Sequence, residues 1–228
     1  MKTEQVTESL IRLQRYGFVN AYLVYEDDGF TLVDTTMRAA DALVAAARRA
    51  GGEIRRVALT HGHTDHAGSV DGLRALLPEA ELSIPERDAR ILAGDEERTK
   101  GSWPRISTRP DRILRPGERV GSLEVVASPG HTPGHVSFLD TRDGSLIVGD
   151  TFTTWGGVTA VTSHFNPRFP LAAPATWDKT IDLQSARALR ALDPALIAVG
   201  HGKPVRTPGA AMDAAIALAE RKLSAPAA

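Results

Sequence analysis

The stretch Thr60-His61-Gly62-His63-Thr64-Asp65-His66 places three imidazoles and one carboxylate within six residues, directly after the apolar run Ile54–Leu59 (IRRVAL). The whole chain holds seven histidines in 228 residues, so three of them here point to a chemical cause. IRRVAL reads as a strand, and at its extended end residues two apart face the same way, so His61 and His63 can reach one ion. The chain must then turn for Asp65 and His66 to reach a neighbouring one, and Gly62 leaves room for the close approach. Imidazole suits zinc, iron or nickel, and a carboxylate adds harder character that admits manganese. The competing reading is a cluster of exposed histidines at a loop tip.

Working outward, three more ligand types stand at the ends of apolar runs. His131 lies in Ser128-Pro129-Gly130-His131-Thr132-Pro133-Gly134-His135, just past Leu123–Ala127. Asp150 ends Ser145–Gly149, and His201 follows Ala195–Val199, each beside a glycine. Singly they read as a turn histidine, a helix cap and a loop histidine. Their shared context with the first motif makes them one constellation. VALTHGHT and VVASPGHT form a faint internal echo, too short to prove duplication.

Between these motifs strands and helices alternate. Phe18–Tyr25 and Phe30–Val33 read as two strands joined through Asp27-Asp28-Gly29. Arg38–Ala50 reads as a helix ended by Gly51-Gly52, Ser69–Leu77 as a helix stopped by Pro78, and Leu82–Ile84 as a short strand. A helix follows from Pro85 to Ala93, with proline expected at its first turn. Leu123–Ala127, Ser145–Val148 and Ala195–Val199 read as strands, Asp178–Leu192 and Gly209–Leu223 as helices. Residues 94–117 and 152–175 read as long irregular loops, and such loops are often functional. The pattern predicts a layered α/β protein with no linker, a single domain over 1–228.

Composition bounds the function. Apolar content of 42% and charged content of 24% are ordinary for a globular chain. A net charge of -1 shows no basic excess, so no nucleic-acid partner is expected. With no cysteine, disulfides, thiolate ligands and a cysteine nucleophile are excluded. No apolar run approaches the roughly 18 residues of a membrane span, and the N-terminus lacks a signal-like apolar segment. The expectation is a cytoplasmic protein acting on a small molecule.

The order His-x-His-x-Asp-His, His, Asp, His, with Leu32-Val33-Asp34-Thr35 ahead of it, resembles the metallo-β-lactamase superfamily over nearly the whole chain. The resemblance implies a four-layer αββα sandwich of two mixed sheets flanked by helices, with two divalent metal ions at one edge. His61, His63 and His131 would hold the first ion, Asp65, His66 and His201 the second, and Asp150 would bridge both. Zinc is the default metal, with iron, manganese or nickel as alternatives. Asp34 would stand behind the site and orient a ligand. The implied activity is a dinuclear hydrolase that uses a metal-bridging hydroxide to cleave a small ester, lactone or thioester. Asp65 would also orient the nucleophile and pass a proton to the leaving atom.

Departures narrow the branch. β-Lactamases that use cysteine in the second site do not apply, and the other di-zinc β-lactamases usually lack the bridging aspartate and are exported. Flavodiiron proteins carry glutamate where this chain has His63. Glyoxalase II shares every ligand but adds a C-terminal helical domain, whereas one helix is predicted after His201. Acyl-homoserine lactonases typically place tyrosine three residues after the bridging aspartate, where this chain has Thr153. Processing nucleases carry insertions or an RNA-binding arm that are not seen here. Alternatives from other classes are a mono-iron, persulfide-dioxygenase-like oxidoreductase, a β-lactam hydrolase and a non-catalytic metal-binding module. Trp103, Trp155, His164, Phe165 and Arg168 crowd the irregular segments and are expected to line the substrate pocket. His135 is expected to stabilise its turn.

Overall fold

The computed structural model describes residues 1–224. It opens with an antiparallel meander of β1 (Lys2–Gln5), β2 (Leu10–Arg15), β3 (Val19–Glu26) and β4 (Gly29–Val33). Helices then make the connections and the pairing becomes parallel, because parallel neighbours require a crossover. Helix α1 (Ala40–Arg49) leads to β5 (Ile54–Ala58), and α2 (Thr64–Ala67) and α3 (Val70–Leu76) lead to β6 (Glu81–Pro85). Helix α4 (Glu86–Ala93) leads to β7 (Arg112–Leu114), which completes a seven-stranded mixed sheet in sequence order.

The second sheet begins with β8 (Arg119–Val120), β9 (Leu123–Ala127), β10 (Val136–Asp140) and β11 (Ser145–Gly149), antiparallel in succession. A small hairpin of β12 (Phe152–Thr153) and β13 (Ala160–Val161) follows, then α5 (Ala172–Ala175) and α6 (Lys179–Ala191). Strand β14 (Leu196–Val199) returns parallel to β11, β15 (Val205–Arg206) forms the edge, and α7 (Gly209–Ser224) packs on α6. Among the described residues no helix is long and apolar enough to cross a membrane.

Strand periodicity builds the layers. Alternate residues of a strand face opposite sides, so Ala21 and Leu23 of β3 join Leu43, Leu73 and Ile91 of the helices on one face. Their neighbours Tyr22 and Val24 turn the other way, onto Val125, Phe138 and Ile147 of the second sheet. Leu146 and Val148 of β11 then meet Leu183 and Leu189 of α6 and Met212 and Ile216 of α7. Three apolar clusters between four layers make the αββα sandwich, as expected from the sequence.

Chain direction positions the site. Strand β11 is parallel to β14, and β9 lies two antiparallel steps from β11, so all three run towards the same edge of the second sheet. The loops carrying His131, Asp150 and His201 leave from that edge. The first sheet is joined to it there by polar bonds in an otherwise apolar interior. Tyr22 Oη donates to Val199 O at 2.7 Å, and Asn20 Nδ2 donates to Val199 O and Gly202 O, each at 2.8 Å. The buried Arg12 guanidinium donates to Gly202 O at 2.9 Å, with Glu4 as its counter-ion at 2.6 Å.

Some elements differ from the sequence expectation. Strands β1, β2 and β10 were not anticipated, and Arg112–Leu114 is a sheet strand inside the expected 94–117 loop. Residues 152–175 likewise hold β12, β13, a single 3-10 turn at Trp155–Gly157 and α5. Pro85 precedes α4 in extended conformation and serves as its N-cap residue.

Replacing Tyr22 by Phe removes the donor to Val199 O, while the Asn20 donor remains. We expect a loss of about 1–2 kcal/mol, a fall in Tm of roughly 2–8 °C for a chain of this size, measured by calorimetry. An unchanged Tm would mean that Asn20 alone secures the His201 strand.

Candidate metal centre

Each donor side chain is aimed by the backbone feature that ends its strand. After β5 the chain bends at Thr60, is extended at His63 and then enters α2, which carries Asp65 and His66 into the same cluster as His61. Gly62 is needed because a Cβ there would come within 2.4 Å of the Trp103 ring. Gly149 has φ +50°, and a Cβ on it would meet His135 Nε2 at 2.5 Å, so only glycine lets the chain turn Asp150 inward. Asp34 has φ +62°, a left-handed conformation that aspartate tolerates better than most residues.

The inward nitrogens and carboxylates converge. Among the described residues, three sets have ligand atoms all within 4.8 Å of one another: His61, His63 and His131; His61, His66 and Asp150; and Asp65, His66 and His201. Asp150 is central, with Oδ2 at 3.1 Å from His201 Nε2 and 3.5 Å from His131 Nε2, and Oδ1 at 3.4 Å from His66 Nε2. Asp65 Oδ2 is 3.2 Å from His201 Nε2. All seven predicted ligands are thus brought together.

The outer ring nitrogens are each held by the protein. His61 Nδ1 meets Thr60 Oγ1 at 3.0 Å, and Thr60 Oγ1 in turn donates to Asp34 at 2.9 Å. His63 Nε2 donates to Lys100 O at 3.0 Å, and His201 Nδ1 donates to Phe18 O at 3.0 Å. His131 Nδ1 meets Thr176 Oγ1 at 3.2 Å, and His66 Nδ1 meets Asp34 Oδ2 at 2.8 Å. Fixing one nitrogen fixes the tautomer and ring direction, so the other lone pair points inward. There, His61 Nε2, His66 Nε2 and Asp150 Oδ1 are fully buried with no protein hydrogen-bond partner. Buried polar atoms left without a partner and converging from two loops fit a cation, and the all-nitrogen-and-oxygen donor set suits zinc, iron, manganese or nickel.

Electrostatics agree. Burial holds His61 and His131 well below the ordinary imidazole pKa, and lowers His63 despite the opposing Asp65 charge. Burial would also lower His66 and His201, but neighbouring carboxylates outweigh it. Asp150 and Asp34 hold His66 well above its usual value, and Asp150 with Asp65 pushes His201 up to about 10. Asp150 itself is held far below the carboxylate range by His201 and His66, against its own burial. Without a metal, protons on His66 and His201 balance the two carboxylates.

One support was read in part and another missed. His135 does more than steady its turn: its Nε2 accepts the Asp150 N–H at 3.0 Å while Nδ1 meets Ser128 Oγ at 2.9 Å. Burial drives it down to about 3, so it is a neutral acceptor. Asp88 was not anticipated. It accepts from Gly62 N at 2.7 Å, Thr132 Oγ1 at 2.7 Å and Gly134 N at 2.8 Å, pinning the first motif to the His131 loop. The signal was an acidic residue on the inward face of α4, beside Ala89, Ile91 and Leu92.

The expected pocket residues do not line the cavity at the cluster. That cavity, about 370 Å³, is walled by Phe18, Met37, Phe169, Leu171, Ala172 and Ala175. Trp103 packs instead against His63, at 5.1 Å between rings, and fills the space beside Gly62. Trp155 lies behind the wall, edge-on to Phe18 at 6.3 Å. His164 is buried away from the cavity, Phe165 faces solvent, and Arg168 covers Gly156. The 94–117 loop contributes mainly as a brace, since Ser102 O accepts from Thr64 N at 2.7 Å and Lys100 O accepts from His63.

The profile of the metallo-beta-lactamase superfamily matches residues 15–201, and the chain belongs to that family. YobT of Bacillus subtilis, an uncharacterized protein, is 42% identical over 213 residues, covering 89% of this chain and 91% of its own length. Three further B. subtilis relatives, 28%, 27% and 25% identical, bear the name "Probable metallo-hydrolase", consistent with a metallo-hydrolase at family level. A hydroxyacylglutathione hydrolase of Xanthomonas axonopodis pv. citri is 36% identical over 138 residues, and the match spans 46% of that protein. Among solved structures, TTHA1623 in a di-iron-bound form superposes with a TM-score of 0.67 at 26% identity, covering 86% of this chain and 93% of that one.

Two outcomes check the centre. Asp34→Ala strips His66 and Thr60 of their acceptor and should weaken metal binding about 10–100-fold in chelator competition. Because His66 and His201 carry raised pKa values, metal must displace their protons: uptake at pH 7 should release about two protons per chain and weaken as pH falls, read with an indicator dye in dilute buffer.

Proposed function

We propose that this protein is a dinuclear, metal-dependent hydrolase that cleaves a small ester, lactone or thioester. The observation that carries the reading is the convergence of seven donor side chains, three of whose inward atoms are buried without a hydrogen-bond partner, beside an accessible cavity. His61, His63 and His131 would hold one ion, Asp65, His66 and His201 the other, with Asp150 between them. A bound pair of divalent ions supplies Lewis acidity, polarising an acyl carbonyl and easing deprotonation of water near neutral pH. Zinc is the default, and iron is equally compatible with these donors.

The chain's own groups do the rest. The net reaction adds water across the acyl–oxygen or acyl–sulfur bond, giving a carboxylic acid and an alcohol or thiol. Asp65 is the one carboxylate of the cluster with appreciable exposure, its side chain 28% accessible and lining the cavity. His66 and His201 keep it ionised although burial would raise its pKa. It is therefore ready to accept a hydrogen bond from attacking water, take up its proton and deliver it to the leaving oxygen or sulfur. Asp150 lies deeper, with His131, His66 and His201 within 3.5 Å of its carboxylate, which suits holding rather than transfer. Phe18 and Phe169 flank His201, with ring centroids 5.9 and 4.7 Å away, and shield the reacting end from bulk water.

A panel of aryl esters, lactones, thioesters, a β-lactam and a phosphodiester on metal-reconstituted protein tests this. Asp150→Ala should lower hydrolysis more than about 100-fold and reduce bound metal. Activity confined to the β-lactam or phosphodiester, or wild-type rates in Asp150→Ala, would reject the reading. Persulfide oxidation with about one iron per chain by elemental analysis would replace it with an oxidoreductase.

A further inference from the structure

Resting on that hydrolase reading, we propose that the cavity at the ligand cluster selects an uncharged substrate whose acyl portion is a flexible hydrocarbon chain of up to about eight to ten carbons. The floor of the cavity is polar, formed by His63, Asp65, His131, Asp150 and His201, and its wall is hydrocarbon. Phe18 comes from the β2–β3 loop, Met37 from the segment after β4, and Phe169 and Leu171 from the segment before α5. Four apolar side chains from three separate segments thus line one cavity.

The charge pattern sets the chemistry. The carboxylates lining the cavity are Asp65 and Asp150, and no lysine or arginine lines it. Its two hydroxyl-bearing residues, Thr64 and Ser102, bond to each other, Oγ1 to Oγ at 3.0 Å. A carboxylate or phosphate on the substrate's tail would give up its hydration here and find no cation beyond the floor. Two bound divalent ions would carry four positive charges against two negative ones on Asp65 and Asp150, and that surplus would act on the scissile carbonyl at the floor, not along the hydrocarbon wall. Cations are not scarce in the chain, which has 27 lysines and arginines. A second cavity of about 630 Å³ behind the wall is lined by Lys2, Arg12 and Lys203. The backbone separates the two: Gly17 and Gly202 face the basic cavity, while Phe18 and His201 face the apolar one. The basic side chains lie on the far side of the wall from the cluster.

Leu171 indicates how the chain is held. It is 66% exposed although it lines the cavity, so its apolar surface is available for a substrate to cover. At about 30 Å³ per water-sized group, 370 Å³ accommodates roughly a dozen heavy atoms. That is room for the reacting group and the stated chain.

The test is a series of aryl thioesters on metal-reconstituted protein, from acetyl to dodecanoyl, with hemisuccinyl and glutaryl thioesters as anionic counterparts. kcat/KM should rise about fourfold per methylene, the worth of one buried CH₂, and level off near eight to ten carbons. The anionic acyl groups should fall well below neutral ones of equal length. Leu171→Lys, at an exposed position that leaves folding intact, should flatten the slope and favour hemisuccinyl. Calorimetric binding of hexanamide and decanamide gives a readout independent of turnover, with decanamide tighter in wild type and weakened in Leu171→Lys. Flat or anion-preferring hydrolysis that vanishes in Asp150→Ala would overturn the substrate class and leave the hydrolase standing. Tighter decanamide binding without turnover of any thioester would support the cavity's selectivity and sink the thioesterase chemistry. No length-dependent binding and no turnover would overturn both.

Discussion

Five imidazoles and two carboxylates crowded into one buried volume would repel one another or bond at random unless each were oriented from behind. The constraint on this structure is that every ring must bond outward through one nitrogen so that the other is presented inward. The outward partners come from all over the chain: Asp34 and Thr60 from the first sheet's edge, Phe18 O from the β2–β3 loop, Lys100 O from a long loop, Thr176 beside α5. The two-sheet architecture exists at this edge to bring those partners together. The polar bonds from Asn20, Tyr22 and Arg12 to the His201 strand are the seam that keeps the two halves in register.

That constraint explains what was legible in the sequence. The ligands could be read because each sits at the end of an apolar strand beside a glycine, and strand ends are local features. The layered α/β class followed from alternating elements, and the αββα order from the resemblance. Strands β1 and β2 were hidden for physical reasons. All four residues of β1 are polar and exposed, and Arg12 faces inward in β2, breaking the alternation that marks a strand. β10 follows the Pro133-Gly134 turn, but its five residues are hidden beside the His131 motif.

The cavity wall was not legible. Phe18 and Phe169 flank one imidazole but lie 151 residues apart in the chain, and no spacing rule links them. Trp103, Trp155 and Phe165 had the right composition and the right kind of segment. Direction decided otherwise: Trp103 turns inward to back His63, Trp155 sits behind Phe18, and Phe165 points to solvent. Aromatic content in a loop says that something will be covered, and only the fold says what.

His135 carries a different implication. Its ring lies 5.1 Å from that of His61, near enough to be mistaken for a sixth imidazole donor. Yet its Nε2 lone pair is taken by the Asp150 amide and its Nδ1 by Ser128. The same bond that steadies the central carboxylate therefore masks a decoy ligand. An ion entering the cluster would find five inward imidazole nitrogens rather than six.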